Sequence, residues 1–200
     1  MPRDKTESHK RIIEAAKQEF LKYGYNDASL RRIASNAGIQ VGGLYKHFAS
    51  KEALFESLVT PAIQGFSQLS YKIETEYMDD AAVNEWESQD EAVRVMEYIY
   101  DHLDEFKLLI LHSEGTRYED FKHEVAKLEE EATLRYLDEL KANGCNVNSF
   151  DITEFHLLST AYVESFFQAL IHDLDKEKAI HYAKTLQEFY QPAWKAWLGI

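Results

Sequence analysis

An all-α fold, with a three-helix N-terminal head carrying a helix-turn-helix and a larger helical body behind it, is what the sequence predicts. Three observations lead there. Apolar residues recur at helical spacing along nearly the whole chain, only three prolines interrupt them, and no strand-like alternation, long repeat or low-complexity linker is present. Residues 29–51, SLRRIASNAGIQVGGLYKHFASK, wrap two short helical patterns around a glycine. Charge also divides the chain. Residues 1–51 hold ten Lys/Arg against five Asp/Glu, net +5, and the remainder holds 12 against 30, net −18, within an overall −13. A basic end on an acidic body marks one segment for a polyanionic partner and leaves the rest repelled by it.

Taken in order, the first helix is expected over 9–23, with Ile12, Ile13, Ala16, Phe20 and Leu21 on one face and Gly24 as its stop. Ser29 is placed to cap the second, whose apolar stripe is Leu30, Ile33, Ala34 and Ala37. Gly38 closes it, since a left-handed C-terminal residue is best supplied by glycine. Ile39 anchors the turn, and Leu44 and Phe48 bury one side of the third helix. Its other side carries Gln40, Val41, Gly43, Tyr45, Lys46 and His47, with Lys51 just beyond. That surface combines hydrogen-bonding groups, cations and little bulk, which suits a helix laid in a DNA major groove. Ser50 caps a fourth helix facing Leu54, Phe55 and Leu58 inward, and Pro61 is expected to kink or break it. A polar passage over 79–90, around Trp86, reads as a loop. Further helices are expected at 90–104, 106–113, 119–142, 151–173 and 175–198, with Asn143 and Gly144 breaking the chain after the third of these. Between Phe155 and Leu174 the apolar residues fall all round the helix, so that helix is expected to be covered on every side.

The pattern IA-x-x-AG-I-x-x-G-x-LY-x-HF-x-SKE at residues 33–52 resembles the signature of TetR-type (tetracycline-repressor-like) transcriptional regulators. It covers about a quarter of the chain. Gln40 and Gly43 depart from it, standing where Ser or Thr, and Thr, Ser or Ala, are usual. The resemblance implies a DNA-binding domain at 1–51 and an effector-binding and dimerisation domain at 52–200. It also implies a homodimer through the two C-terminal helices, in which Phe167 is a candidate for the subunit face, and a double-stranded palindromic operator as partner. Tyr45 and His47 would donate to phosphates, with Lys51 and Ser29 also at the backbone. Lys46 and Gln40 are the best readers of base edges, Lys suiting guanine and Gln adenine. Gly42 and Gly43 matter by letting backbone approach the duplex.

The body is where the resemblance places a pocket for a small-molecule effector. Candidate lining residues are Phe66, Tyr71, Met96, Tyr98, Tyr100, His112, Phe121, Tyr162 and Phe166. Aromatic richness suits a flat or hydrophobic ligand, and the acidic balance leaves room for a cationic one. The function so implied is a transcriptional repressor released from its operator by the effector, with an activator or a protein-responsive regulator as the alternative. Catalysis is disfavoured. The eight His follow no ligand spacing, Asp120 and His123 form a single isolated pair, and no nucleophile elbow or phosphate-cradling loop occurs, so neither metal nor cofactor is expected. The one cysteine, Cys145, excludes an intrachain disulfide. With a charged N-terminus and no long apolar segment, the expectation is a soluble, cytoplasmic protein without membrane contact.

Overall fold

The computed structural model describes residues 5–81 and 91–200, and the described residues form nine helices and no strand. They are α1 (Lys5–Asp27), α2 (Leu30–Asn36), α3 (Val41–Leu44), α4 (Lys51–Ala81), α5 (Glu91–Asp101), α6 (Leu103–Leu111), α7 (Phe121–Ala142), α8 (Ile152–Ile171) and α9 (Lys176–Leu198). Of the loop expected over 79–90, residues 79–81 are the end of α4 and residues 82–90 lie outside the described residues. None of the helices described is long and apolar enough to cross a membrane. Two compact units result. One comprises residues up to Gln64 together with His102–Glu119, and the other comprises Gly65–Asp101 and Asp120–Ile200. The first unit therefore takes in the opening of α4 and all of α6 besides the three helices of the head.

The first unit is organised around α1. Ile12, Ala16 and Phe20, one turn apart, are fully buried, with Ile33 and Ala34 of α2, Leu44 of α3 and Leu54 and Phe55 of α4. Phe20 meets Phe55 edge-on at 5.2 Å, and Tyr25 meets the same ring at 5.5 Å. Gly24 interrupts the helical dihedrals of α1 with φ 72° and ψ 169°, which only glycine adopts cheaply. The interruption brings the Tyr25 N–H onto the His112 carbonyl at 3.0 Å.

The start of α2 departs from expectation. Ser29 is the N-cap residue, but its hydroxyl makes no capping bond. The anchor is Glu19 of α1, only 4% exposed, whose Oε1 accepts from the Ser29 N–H at 2.8 Å and from Arg32 Nε at 2.7 Å. A carboxylate usually offered from within the same helix to satisfy an N-cap N–H here comes from a neighbouring one. Ser50, by contrast, caps α4 as expected, accepting from the Ala53 N–H at 3.0 Å. Pro61 does not break α4, which runs on to Ala81. The Pro61 ring is exposed, so it displaces no packed neighbour where it replaces the backbone donor.

In the second unit α7 packs on α8, α5 on α9, and α8 on α9. Asp151 caps α8 by accepting from the N–H groups of Thr153 and Glu154, and Asp175 caps α9 through Lys178 N–H. The complete coverage expected of α8 is not found within one chain. Phe155, Val163, Phe166 and Leu170 are buried, yet Leu157 is 62% exposed and Leu158 and Ile171 are exposed too. Phe167, the candidate for a subunit face, is 1% exposed and packs against Phe121 and Phe166, so it belongs to the chain's own core.

Removing the buried Glu19 carboxylate leaves the Ser29 N–H without its acceptor. Glu19→Ala is expected to lower the unfolding free energy by about 2 kcal/mol, measured as a shift of the denaturant midpoint. An unchanged midpoint would mean that α2 is held by its apolar stripe alone.

Candidate nucleic-acid interface and body cavity

The turn between α2 and α3 is built by backbone geometry. Gly38 sits at φ 67°, its N–H bonds the Ser35 carbonyl at 3.0 Å, and the Ile39 N–H returns to the Ala34 carbonyl at 2.9 Å. This paired closure satisfies the last carbonyls of α2 and reverses the chain. The regular part of α3 is only four residues long. Its helical turn is prolonged by bonds from the Lys46 N–H to Gly43 O and from the His47 N–H to Leu44 O. Leu44 and Phe48 point into the head, as expected.

Gln40, Gly42, Tyr45 and Lys46 are exposed, while Val41, Gly43 and His47 are half-buried. Tyr45 is 53% exposed, and the side chains of Gln40, Tyr45 and Lys46 make no hydrogen bond or ion pair among the described residues. The His47 ring lies 5.7 Å from His9, which stacks on Phe48 at 5.0 Å. Lys51 is engaged inside the chain. Its ammonium donates to the Asn26 carbonyl at 3.0 Å and lies 4.7 Å from the Tyr25 ring centre, with partial burial lowering its pKa. Ser29 is half-buried and its N–H is already taken by Glu19. The two adjacent glycines are not forced by packing. A Cβ on Gly42 would meet nothing within 4 Å, and one on Gly43 would touch only Ile39, at 3.8 Å.

Within the second unit lies a cavity of about 320 Å³. Of the nine candidate lining residues, Phe66, Tyr71, Tyr162 and Phe166 are on its wall. The other five are not. Met96 is fully buried core, Tyr98 packs beside Phe66, and Phe121 lies behind the wall against Phe66 and Phe167. The Tyr100 hydroxyl donates to the Leu174 carbonyl at 2.9 Å, and His112 belongs to the first unit, beside Gly24. Aromatic type at helical spacing selects core as readily as cavity, which is why the five were indistinguishable from wall residues in sequence. The charged part of the wall was missed altogether. Its members are Glu74, Glu91, Glu129 and Arg135, and Glu91 and Glu129, with Tyr77, Thr133 and the expected Tyr162, are shared with a smaller adjoining cavity of about 100 Å³. Burial pushes the Glu129 carboxyl up to about 8, helped by the charges of Glu91 and Glu74. Burial also raises Glu91, against the opposing pull of the Tyr77 hydroxyl bonded to it and of Arg94. Glu129 opens a run of three acids, 129–131, that in sequence looks like a solvated face. Only the turn of α7 shows that it faces inward.

These features define a class of protein, a helix-turn-helix head joined to an all-helical, cavity-bearing body. Residues 12–58 match the family described as bacterial regulatory proteins, tetR family. An uncharacterized HTH-type transcriptional regulator of Bacillus subtilis, YdgC, is 31% identical over 101 residues, half of this chain and half of its own length. UidR, an HTH-type transcriptional regulator of Escherichia coli, is 41% identical over 49 residues, 24% of this chain and 25% of that one. The chain thus spans half or less of the length of these curated relatives. Among solved structures, NalD, the secondary repressor of the MexAB-OprM multidrug efflux pump in Pseudomonas aeruginosa, superposes with TM-score 0.59 at 18% identity, covering 92% of this chain and 96% of NalD. The transcriptional regulator FadR of Bacillus subtilis, in complex with stearoyl-CoA, gives 0.56 at 14% identity, covering 90% and 95%. At those identities the likeness is one of fold. The head thus matches the model of the tetR family of bacterial regulatory proteins over about a quarter of the chain, and the likeness of the rest is one of fold.

Since neither glycine of α3 has a positive φ or a close neighbour, Gly42→Ala and Gly43→Ala are each expected to stabilise the free protein by up to ~1 kcal/mol. Thermal unfolding of both variants checks this. A fall in the midpoint of either would reveal a conformational demand at that position.

Proposed function

We propose that this protein is a dimeric transcriptional repressor that grips a palindromic operator through its two heads and is released by a small molecule bound in the body. The observation that carries the reading is the surface of α3 and its following turn, where Gln40, Tyr45 and Lys46 stand exposed and unengaged on a head of net positive charge. Groups of this kind cost little to desolvate only if another partner takes up their hydrogen bonds. Phosphate and base edges offer such partners. Tyr45, His47 and Lys51 are assigned to the backbone, and Lys46, Gln40 and Val41 to the groove. Ser29 retains its hydroxyl for a phosphate. Gly42, with open space around its Cβ position, is assigned the closest approach to the duplex.

Two-fold assembly is supported by the uncovered faces of the last two helices. Leu157, Leu158 and Ile171 on α8 and Phe189 on α9, 74% exposed, leave large apolar side chains in water that a subunit contact would cover. Coupling is supported by α4. One helix carries Lys51 at its first turn and the cavity residues Phe66, Ser70 and Tyr77 further along. A ligand that displaces it alters the heads' placement on two half-sites. Reciprocity requires operator and effector to weaken each other equally, and a hundredfold effect corresponds to about 2.7 kcal/mol.

Selection from random duplex DNA tests the central reading. Enrichment of a two-fold symmetric sequence, with half-sites in register with the helical repeat, is the expected result, and no symmetric enrichment would overturn it. On that operator Gly42→Ala is expected to bind poorly and Gly43→Ala close to normally; equal losses would remove the distinction.

Lys51→Ala is expected to weaken operator and random DNA alike and to reduce the salt slope by about one unit. A fall in thermal stability with an unchanged slope would instead assign Lys51 wholly to its bond with Asn26.

For the dimer, combining Leu158→Asp with Phe189→Asp should give monomers in sedimentation with helical content kept. Dimers persisting in that variant would place the interface elsewhere.

A further inference from the structure

The body cavity carries a charge arrangement that narrows its ligand class. The Glu129 carboxylate forms no hydrogen bond and no ion pair among the described residues, although it lines the cavity; only its backbone carbonyl is engaged, by the Thr133 hydroxyl. The nearby charges do not neutralise it. Arg135 on the same helix is paired with Glu74 of α4 at 2.7 Å, and Arg94 of α5 is paired with Glu76. Glu91 takes the Tyr77 hydroxyl and faces Glu129 as a second acid. From α8 and α9 the titratable groups facing this point are Tyr162 and Tyr190, whose rings meet edge-on at 5.2 Å. Residues 82–90, AVNEWESQD, contain no Lys or Arg that could supply a counter-charge.

A carboxylate partly withdrawn from water without a cation is costly, and two half-buried ones facing one cavity are more so. The empty protein resolves the conflict by holding a proton, which fits the Glu129 carboxyl standing near 8. A bound cation would resolve it equally well. The rest of the wall suits such a guest, because the electron-rich faces of Tyr and Phe attract a desolvated cation and the apolar part holds a hydrophobic body.

Resting on the effector reading above, we propose that the cavity binds an amphiphilic organic cation, an amine or quaternary ammonium carrying an aromatic or aliphatic group, with Glu129 and Glu91 as its counter-charges and Tyr77, Tyr162 and Tyr190 around its head. Binding then exchanges the Glu129 proton for the ligand's charge. Affinity for a permanent cation must rise about tenfold per pH unit below about 8, and level off above it, because only the deprotonated carboxylate pairs with the guest.

The test uses the full chain with phenyltrimethylammonium, its neutral isostere tert-butylbenzene, and benzenesulfonate. Calorimetry is expected to show the cation bound at least about tenfold more tightly than the isostere at pH 8, with benzenesulfonate not detected. At pH 7, titrations in buffers of different ionisation enthalpy should show close to one proton released per cation bound. Glu129→Gln should remove both the preference and the pH dependence, and Glu91→Gln should reduce the preference. Equal affinity for cation and isostere, absence of proton release in the unsubstituted protein, or cation binding unaffected by Glu129→Gln would each overturn the proposal. The proton-release measurement needs no variant, so a failure of Glu129→Gln to fold does not shelter the idea. Operator affinity measured with saturating cation separates the two readings. Cation bound with no loss of operator binding would overturn the effector role and leave the site standing, whereas neutral binding with operator release would do the reverse.

Discussion

The buried carboxylate of Glu19 is the interaction on which the head depends. α2 has seven residues and α3 has four, both far below the length at which a helix holds itself in water. Their geometry must therefore be imposed from outside. Glu19 does so at one end, tying the Ser29 N–H and the Arg32 guanidinium to α1. The left-handed Gly38 does so at the other, fixing the angle at which α3 leaves. Between those two points the chain has little freedom, so the few exposed groups after Gly38 are presented on a defined surface despite the weakness of the helix bearing them.

In the body the governing constraint is electrostatic. Glu129 and Glu91, both half-buried, are brought to one cavity by different helices. Their joint presence costs free energy in the empty protein unless a proton intervenes. A cavity strained in this way binds best what relieves it, so the same groups that destabilise the empty state set the selectivity of the occupied one.

α8 borders this cavity on one side and carries an uncovered apolar face on another. Its Tyr162 and Phe166 face the cavity while Leu157, Leu158 and Ile171 face outward. A helix with apolar groups on both sides can serve a cavity and a subunit contact at once. The burial of Phe167 shows the limit of reading such a helix as a uniform apolar rod. One position of rotation, about 100°, separates the core from the uncovered face.

Helix after helix, the sequence determined the secondary structure, because 3.6-residue periodicity, capping Asp, Ser and Gly, and the Gly38 turn are local chemistry read from neighbouring residues. It determined equally the family signature at 33–52 and the surface opposite Leu44 and Phe48, since a short helix with two core residues leaves only one outer side. It expected Pro61 to kink or break α4, which is not broken there but continues to Ala81, and it assigned to the Ser29 hydroxyl an anchoring role that Glu19 performs from ten residues away. Which aromatics line the cavity, and that Glu91 and Glu129 meet there across 38 positions of sequence, only the tertiary structure decided. The physical reason is that a helix's own sequence fixes which residues share a face, whereas the partner packed against that face fixes whether it becomes core, cavity wall or solvent-exposed surface.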